Sequence, residues 1–285
     1  MRVKRSSICF VIPYFGEFPF WMDYFIESCS SNSSVDYVIY SDNPLPKGWP
    51  ANITYHYISF DDYKNLVSQR LGIRFNPINP YKLCDLKPAY GMIHDNDIKG
   101  YDFWGFCDID LIFGNIRKFL THNVLNSCDF YSAYERRVSG HFFLTRNTPE
   151  LNKSFMKVDG WRKVFEDVEH HCFDERAFSS LFVKFKNHPA WSKNILSWLF
   201  LPLSRRSVFE EQYSTPGLRY NWVDGTRDFP TEWYWRDGAL TNNASDREFL
   251  YFHFLKWKRN WGGKNSRDAP TSIKWMVDDS GFHSA

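Results

Sequence analysis

Tyr101–Arg117 reads YDFWGFCDIDLIFGNIR, and this stretch decides the fold. An apolar run, Phe103 to Cys107, leads into two aspartates one residue apart, Asp108 and Asp110, after which a second apolar run resumes. Gly100 stands before the run and Gly114-Asn115 after it, so it reads as a buried strand bounded by turns. Carboxylates are seldom left in such surroundings unless paired or bound to a cation, because desolvating an unpaired charge is costly. At a strand end with i, i+2 spacing, the pair can flank one hard divalent ion, Mn²⁺ or Mg²⁺, and leave coordination positions for phosphate oxygens. That is the chemistry of a nucleotide-diphosphate site. A second pattern of the same form, Asp95-Asn96-Asp97, lies in the polar stretch HDNDIKG and reads as a solvated turn.

Upstream, Ser7–Tyr14, Val35–Tyr40 and Ile53–Phe60 read as strands, while Phe18–Ser30, Asp61–Leu71 and Tyr81–His94 carry helical spacing, the last with Pro88 as a start or kink. With Phe103–Asp108 as the next strand, this order predicts an α/β fold with a largely parallel sheet flanked by helices. Ligands of such sheets bind outside the carboxyl ends of the strands. Tyr14, Asp42 and Asp108 each fall at such an end, so three readings converge on one rim. Downstream, Asp129–Tyr134 and Gly140–Thr145 read as strands, and Leu151–Asp167 and Phe173–Lys186 as helices. Thr231–Leu240 reads as a hairpin turning at Asp237-Gly238, and Glu248–Trp257 as a last strand or short helix. No repeat or linker stands out. The expectation is a single domain over 1–285, with the nucleotide-diphosphate rim in a first half at 1–120 and a less regular second half at 121–285.

The 35 basic and 33 acidic residues leave a net charge of +2, which implies no nucleic-acid partner. Aromatic residues make up 19% of the chain, more than a sugar-stacking surface could use, so most must fill the core. The six cysteines are scattered, with no CxxC and no zinc-ligand spacing, which fits a reduced, cytoplasmic compartment. The opening MRVKRSSICFVIPYF has basic residues before an apolar stretch, but the stretch is short and reaches Gly16-Glu17 without a small-residue cleavage site, so it reads as a first strand behind a basic leader. No segment approaches the ~20 apolar residues needed to cross a bilayer. Trp191–Arg206 combines tryptophans, an aliphatic stretch and Arg205-Arg206, a mix that suits either shallow insertion at an anionic membrane surface or a buried helix with a basic end.

A first strand ending at Pro13-Tyr14, a second ending in Ser41-Asp42-Asn43, and DxD closing an apolar strand together resemble the donor half of a GT-A fold glycosyltransferase. Tyr251-Phe252-His253-Phe254-Leu255-Lys256-Trp257 is similar to the C-terminal His-x-x-x-Lys element of glycogenin-like and related retaining transferases. There the histidine completes the metal shell and the lysine holds the diphosphate, so the resemblance assigns His253 to Asp108 and Asp110 and Lys256 to phosphate. The spacing departs from the family's, with Gly262-Gly263 following instead of intervening, and Lys258 is an equal candidate for the phosphate role. YKLCDLKPAY at 81–90 and SGHFFLTRN at 139–147 resemble segments of uncharacterised bacterial surface-polysaccharide transferases. By that resemblance Lys82, Asp85 and Lys87 face the nucleotide, and Gly140-His141 approaches the donor sugar. Pro13, Tyr14 and Asp42 would lie against base and ribose.

Asp174 and Glu175, in FDERAF, are the candidate catalytic carboxylates, with nothing in the sequence to choose between them; a helix N-terminal carboxylate pair is the plainer alternative. Trp233-Tyr234-Trp235 is either an acceptor platform or the alternating core of a hairpin. The function expected is a metal-dependent transfer of a hexose from a nucleotide-diphosphate sugar, a UDP-hexose by preference, to a bacterial surface glycan or lipid-linked acceptor. The resemblance favours retention; the place expected is the cytoplasm, with the inner face of the cytoplasmic membrane as the alternative that Trp191–Arg206 offers. The alternatives are a nucleotidyl- or phosphotransferase, against which the absence of GxxxxGK[ST] weighs, and a carbohydrate-binding protein without turnover.

Overall fold

The computed structural model describes residues 5–46, 48–183, 189–217, 220–261 and 274–284. Its centre is a seven-stranded sheet built from β1 (Ile8–Pro13), β2 (Asp36–Ser41), β3 (Ile53–Tyr57), β4 (Phe103–Cys107), β6 (Phe130–Ser132), β7 (Phe142–Arg146) and β8 (Ser207–Phe209), in the order β3-β2-β1-β4-β7-β6-β8. Every neighbouring pair is parallel except the two that involve β7. A short ribbon pairs β5 (Leu111–Phe113) with β11 (Tyr251–His253), and a four-stranded sheet joins β9 (Trp233–Arg236), β10 (Ala239–Asn242), β12 (Lys274–Asp278) and β13 (Gly281–Ser284). This is the expected α/β architecture, a mostly parallel central sheet between helices with an irregular C-terminal half.

The period of two along the strands divides the core. Ile8, Phe10 and Ile12 of β1, Tyr37 and Ile39 of β2, and Phe103 and Cys107 of β4 pack on one face with Phe25, Ile26 and Cys29 of helix α1 (Met22–Ser30). Cys9, Val11, Val38, Tyr40, Trp104 and Phe106 face the other side, against Tyr63, Val67 and Leu71 of helix α2 (Phe60–Leu71). Both faces are covered, which is why these strands read as near-continuous apolar runs. A third cluster, with Trp233, Trp235 and Trp275 at its heart, fills the C-terminal half.

Several helices expected from periodicity are broken. Segment 81–94 is a chain of single turns, with Pro80 and Pro88 each opening a 3₁₀ turn. Segment 151–167 divides at Gly160, whose φ of 74° is left-handed, leaving only Trp161–Glu166 as its last helix. From Phe173 the chain makes turns and one 3₁₀ segment, Phe178–Leu181, instead of a helix; residues 184–186 of that expectation lie outside the described residues, as do Gly262-Gly263. Ile53–Phe60 is strand only to Tyr57, because Ser59 caps the start of α2 by accepting from the Asp62 amide. The hairpin expected at 231–240 forms over 233–242, turning as expected at Asp237 and Gly238, both at positive φ. Trp233 and Trp235 are buried in it, so they are core residues and not a platform. All six cysteines are free thiols. No helix among the described residues is long and apolar enough to cross a membrane.

Candidate functional site

The rim is assembled from strand ends. The antiparallel β7 brings its start, Gly140-His141, to the end where β1 and β4 finish, and the Asp108 amide donates to the His141 carbonyl at 3.1 Å. Two residues on, the Asp110 carbonyl accepts from the Phe254 amide at 3.3 Å, and pairing of β5 with β11 sets His253 opposite Leu111. Thus Asp108 and His253, 145 positions apart in sequence, are drawn together by one short ribbon. Asp108, Asp110 and His253 each offer a ligand atom, all within 4.8 Å of one another. They border a cleft of about 560 Å³ lined also by Pro13, Tyr14, Lys87, Asp174 and Lys258.

Two carboxylates and an imidazole form a donor set suited to Mn²⁺, with Mg²⁺ accepting it less readily through the nitrogen. His253 supplies the independent sign of fit. Its ring is buried, its Nδ1 lies 3.3 Å from Thr215 Oγ1, and its Nε2 finds no hydrogen-bond partner among the described residues. That nitrogen is 3.4 Å from Asp110 Oδ2, close but not aligned as a hydrogen bond. A buried ring nitrogen left open beside two carboxylates is what a metal ligand looks like without its ion. His141 stacks on His253 with ring centroids 4.1 Å apart. Its Nε2 meets the Tyr251 hydroxyl at 2.7 Å, and that hydroxyl donates onward to the Ala133 carbonyl. Burial, reinforced by His253, pushes the His141 imidazole well below its ordinary titration range and keeps it neutral.

Two lysines complete the electrostatics. Lys258 Nζ sits 2.6 Å from Asp110 Oδ2, and Lys87 Nζ sits 2.6 Å from Asp108 Oδ1 and donates to the Gly140 carbonyl at 2.6 Å. Burial alone would raise the Asp110 carboxyl, but His253 and Lys258 outweigh it and hold the group well below the usual carboxylate range. Burial would likewise lower Lys87, yet Asp108 prevails and the ammonium is held firmly charged.

Asp174 and Glu175, left equal by the sequence, differ in their surroundings. Asp174 is only 3% exposed, and burial pushes its carboxyl up to about 7 although Lys87 pulls the other way. Glu175 is half-buried and paired with Arg137 at 3.2 Å. Gly140 is a glycine because of this corner: a Cβ there would lie 2.9 Å from Glu175 Oε1 and 3.0 Å from Asp174 Oδ2.

Four expected site residues stand elsewhere. Lys82 and Asp85 are buried and turned from the cleft, because they bond to each other at 2.9 Å and to backbone: Lys82 to the Val164 and Glu169 carbonyls, Asp85 to the His171 and Phe173 amides. With every hydrogen-bonding position taken they have nothing to offer a nucleotide. Asp42 is exposed and holds the Gly16 amide at 3.0 Å without lining the cleft. Lys256 is exposed and packs by Gly217, so of the two lysines only Lys258 reaches the acidic pair. The second DxD is more than a solvated turn, since Asp97 accepts from the Tyr40 hydroxyl at 2.8 Å and meets His94 Nδ1 at 3.1 Å. Arg137, Tyr134 and His170 line the cleft without having been singled out from sequence, and Tyr81 lines it as the first residue of the YKLCDLKPAY segment; the SGH segment beside Arg137 pointed near the others.

Solved structures with a similar backbone include mouse xyloside xylosyltransferase 1 in its apo form, at 9% identity over 88% of this chain and 98% of that one, with a TM-score of 0.42. The galactosyltransferase LgtC, crystallised with donor and acceptor sugar analogues, matches at 12% identity over 74% of this chain and 75% of that one, with a TM-score of 0.37. The apo glycosyltransferase GlyE of Streptococcus pneumoniae TIGR4 matches at 15% identity over 74% of this chain and 46% of that one, with a TM-score of 0.36. No curated protein sequence matches the chain significantly. A family profile matches residues 10–281, nearly the whole length, and the chain therefore belongs to the family of unknown function DUF6625.

Proposed function

We propose that the protein is a metal-dependent glycosyltransferase of GT-A type, moving a hexose from a nucleotide-diphosphate sugar, with UDP as the expected nucleotide, to a surface-glycan or lipid-linked acceptor. The observation that carries the reading is the Asp108–Asp110–His253 group on the rim of the cleft, with the open His253 Nε2 facing Asp110. A divalent cation held there supplies Lewis-acid charge to diphosphate oxygens. Lys258, already beside Asp110, offsets negative charge growing on the departing nucleotide. Pro13 and Tyr14, at the end of β1, border the cleft together with Tyr81 and Lys87 of the same half.

Asp174 is the carboxyl for the reacting sugar. A group that changes protonation near neutrality is matched to taking a proton from an acceptor hydroxyl, which inversion requires. Retention asks the ionised form only to oppose positive charge at the anomeric centre. The resemblance of the His253 element favours retention, and the anomeric configuration of the first product, read by NMR, separates the two.

The test is release of UDP from UDP-hexoses with and without Mn²⁺. Mn²⁺-dependent release, lost in Asp110→Ala, supports the proposal. Pyrophosphate release would point to nucleotidyl transfer, and binding without turnover to a carbohydrate-binding protein.

A further inference from the structure

Of the eleven large apolar side chains exposed among the described residues, five lie on one helix, α3 (Ala190–Phe200). Trp191, Ile195, Trp198, Leu199 and Phe200 are exposed by 71, 53, 55, 49 and 64%, while Ser197 is the residue buried against the protein. An ordinary surface helix does the reverse. Positions 191, 195, 198 and 199 follow i, i+4, i+7, i+8 spacing, so they form one continuous stripe rather than scattered exposures.

Charge is as one-sided as hydrophobicity. From Arg176 to Phe209 the sequence contains no Asp or Glu, yet it carries Arg176, Lys184, Lys186, Lys193, Arg205 and Arg206, in a protein otherwise balanced between acids and bases. At the end of the stripe the Arg205 guanidinium lies 5.5 Å over the Trp198 ring and donates to the Trp198 carbonyl at 3.1 Å. Arg206 adjoins it, half exposed and paired with Asp129, a carboxylate that Arg146 also engages.

We propose that α3, with its Arg205-Arg206 end, docks the protein on the anionic surface of a lipid bilayer. The stripe enters the boundary between headgroups and acyl chains, and the arginines lie among lipid phosphates. Charge selects this occupant over a second copy of the chain, because two such faces would bring like charges together. The inference stands apart from the transferase reading, since it needs no activity.

Flotation of the full chain with vesicles tests it. The protein is expected to float with equimolar phosphatidylcholine and phosphatidylglycerol, to stay behind with phosphatidylcholine alone, and to be released by high salt. Ile195→Ser/Leu199→Ser should weaken binding by about an order of magnitude or more, and Arg205→Gln by about five-fold. The double serine variant should keep its melting temperature within a few degrees, because each side chain already has about half its surface in water. No flotation on the anionic vesicles, or flotation that survives the double serine change, overturns the proposal. So does a lipid-free dimer, seen by light scattering, that the same change abolishes; the face would then belong to a second copy.

Discussion

At Asp110 one carboxylate is shared between a lysine and an imidazole, and its oxygens define what the cleft can hold. Any ion that settles there binds the folded chain alone, so it must raise the melting point, by about 2.7 kcal/mol of stability at one hundred times its Kd. Asp110→Asn and His253→Ala are expected to abolish the Mn²⁺-induced rise in a thermal-shift assay, while Asp42→Asn, which removes a carboxylate outside the cleft, keeps it. A rise that persists in both site variants would place the ion elsewhere. Asp174 makes a prediction about pH. Its carboxyl moves from 3.8 to about 7 on folding, so between those values the folded state holds a proton that the unfolded state has lost. Stability therefore falls as pH rises through that window and then levels off, a loss on the order of a few kcal/mol. Asp174→Asn removes the loss: the variant should melt above wild type at about pH 8 and close to it at about pH 4. It should transfer little or no sugar, a trade of function for stability that melting curves and the UDP assay measure side by side.

The element that fixes this corner is the broken helical segment 80–93 with the loop it grips. Lys82 and Asp85 tie that segment to residues 164–173, immediately before Asp174. Asp85→Ala would leave a buried ammonium without its counter-charge and the His171 and Phe173 amides without their acceptor, and the expected cost is about 3–5 kcal/mol in urea unfolding. Replacing both members by apolar residues often restores a buried ion pair's stability, but here Lys82→Met/Asp85→Leu should not, because the His171 and Phe173 amides stay orphaned. A double variant as stable as wild type would show that those amides do not depend on Asp85. Here the sequence is least legible. A Lys and Asp three apart look the same whether they cover a surface turn or clamp a loop from inside, and the burial that distinguishes them comes from residues more than eighty positions away. Local signals fared better where the chemistry was local. The β1, β2 and β4 runs and the Asp237-Gly238 turn were all readable, as was the placement of Asp108 at a strand end. Helical periodicity misled at 151–167 and 173–183, where apolar residues are dense enough to imitate any period. Left-handed backbone at Gly160 interrupts the first pattern, and at Cys172 it stands immediately before the second.

Across the whole molecule, the first helix and the last two strands hold each other. Tyr24 of α1 stacks on Phe282 of β13 at 4.0 Å and meets Trp275 of β12 edge-on at 5.2 Å. β8, from the second half, adds the outermost strand to the central sheet beside β6, and β11 clasps β5 just after the acidic pair. The candidate cation site thus spans the division at residue 120, with Asp108 and Asp110 on one side and His253 on the other. Separable halves would make such a site costly, because each would have to expose part of a shared aromatic core. We therefore expect one cooperative unit over the whole chain: a single calorimetric transition whose measured enthalpy equals its van't Hoff value. Mn²⁺ should shift that transition as a whole. Two transitions, with only the later half responding to the ion, would instead mean that His253 gathers ligands without Asp108 and Asp110, and that the halves fold apart. Because the ribbon of β5 and β11 is the strap between them, Gly114→Ala sharpens the test: its Cβ would fall 2.2 Å from the Phe249 carbonyl, a backbone atom that cannot swing aside. That clash should lower the single transition by several degrees and weaken Mn²⁺ binding together, whereas independent halves would let one change without the other.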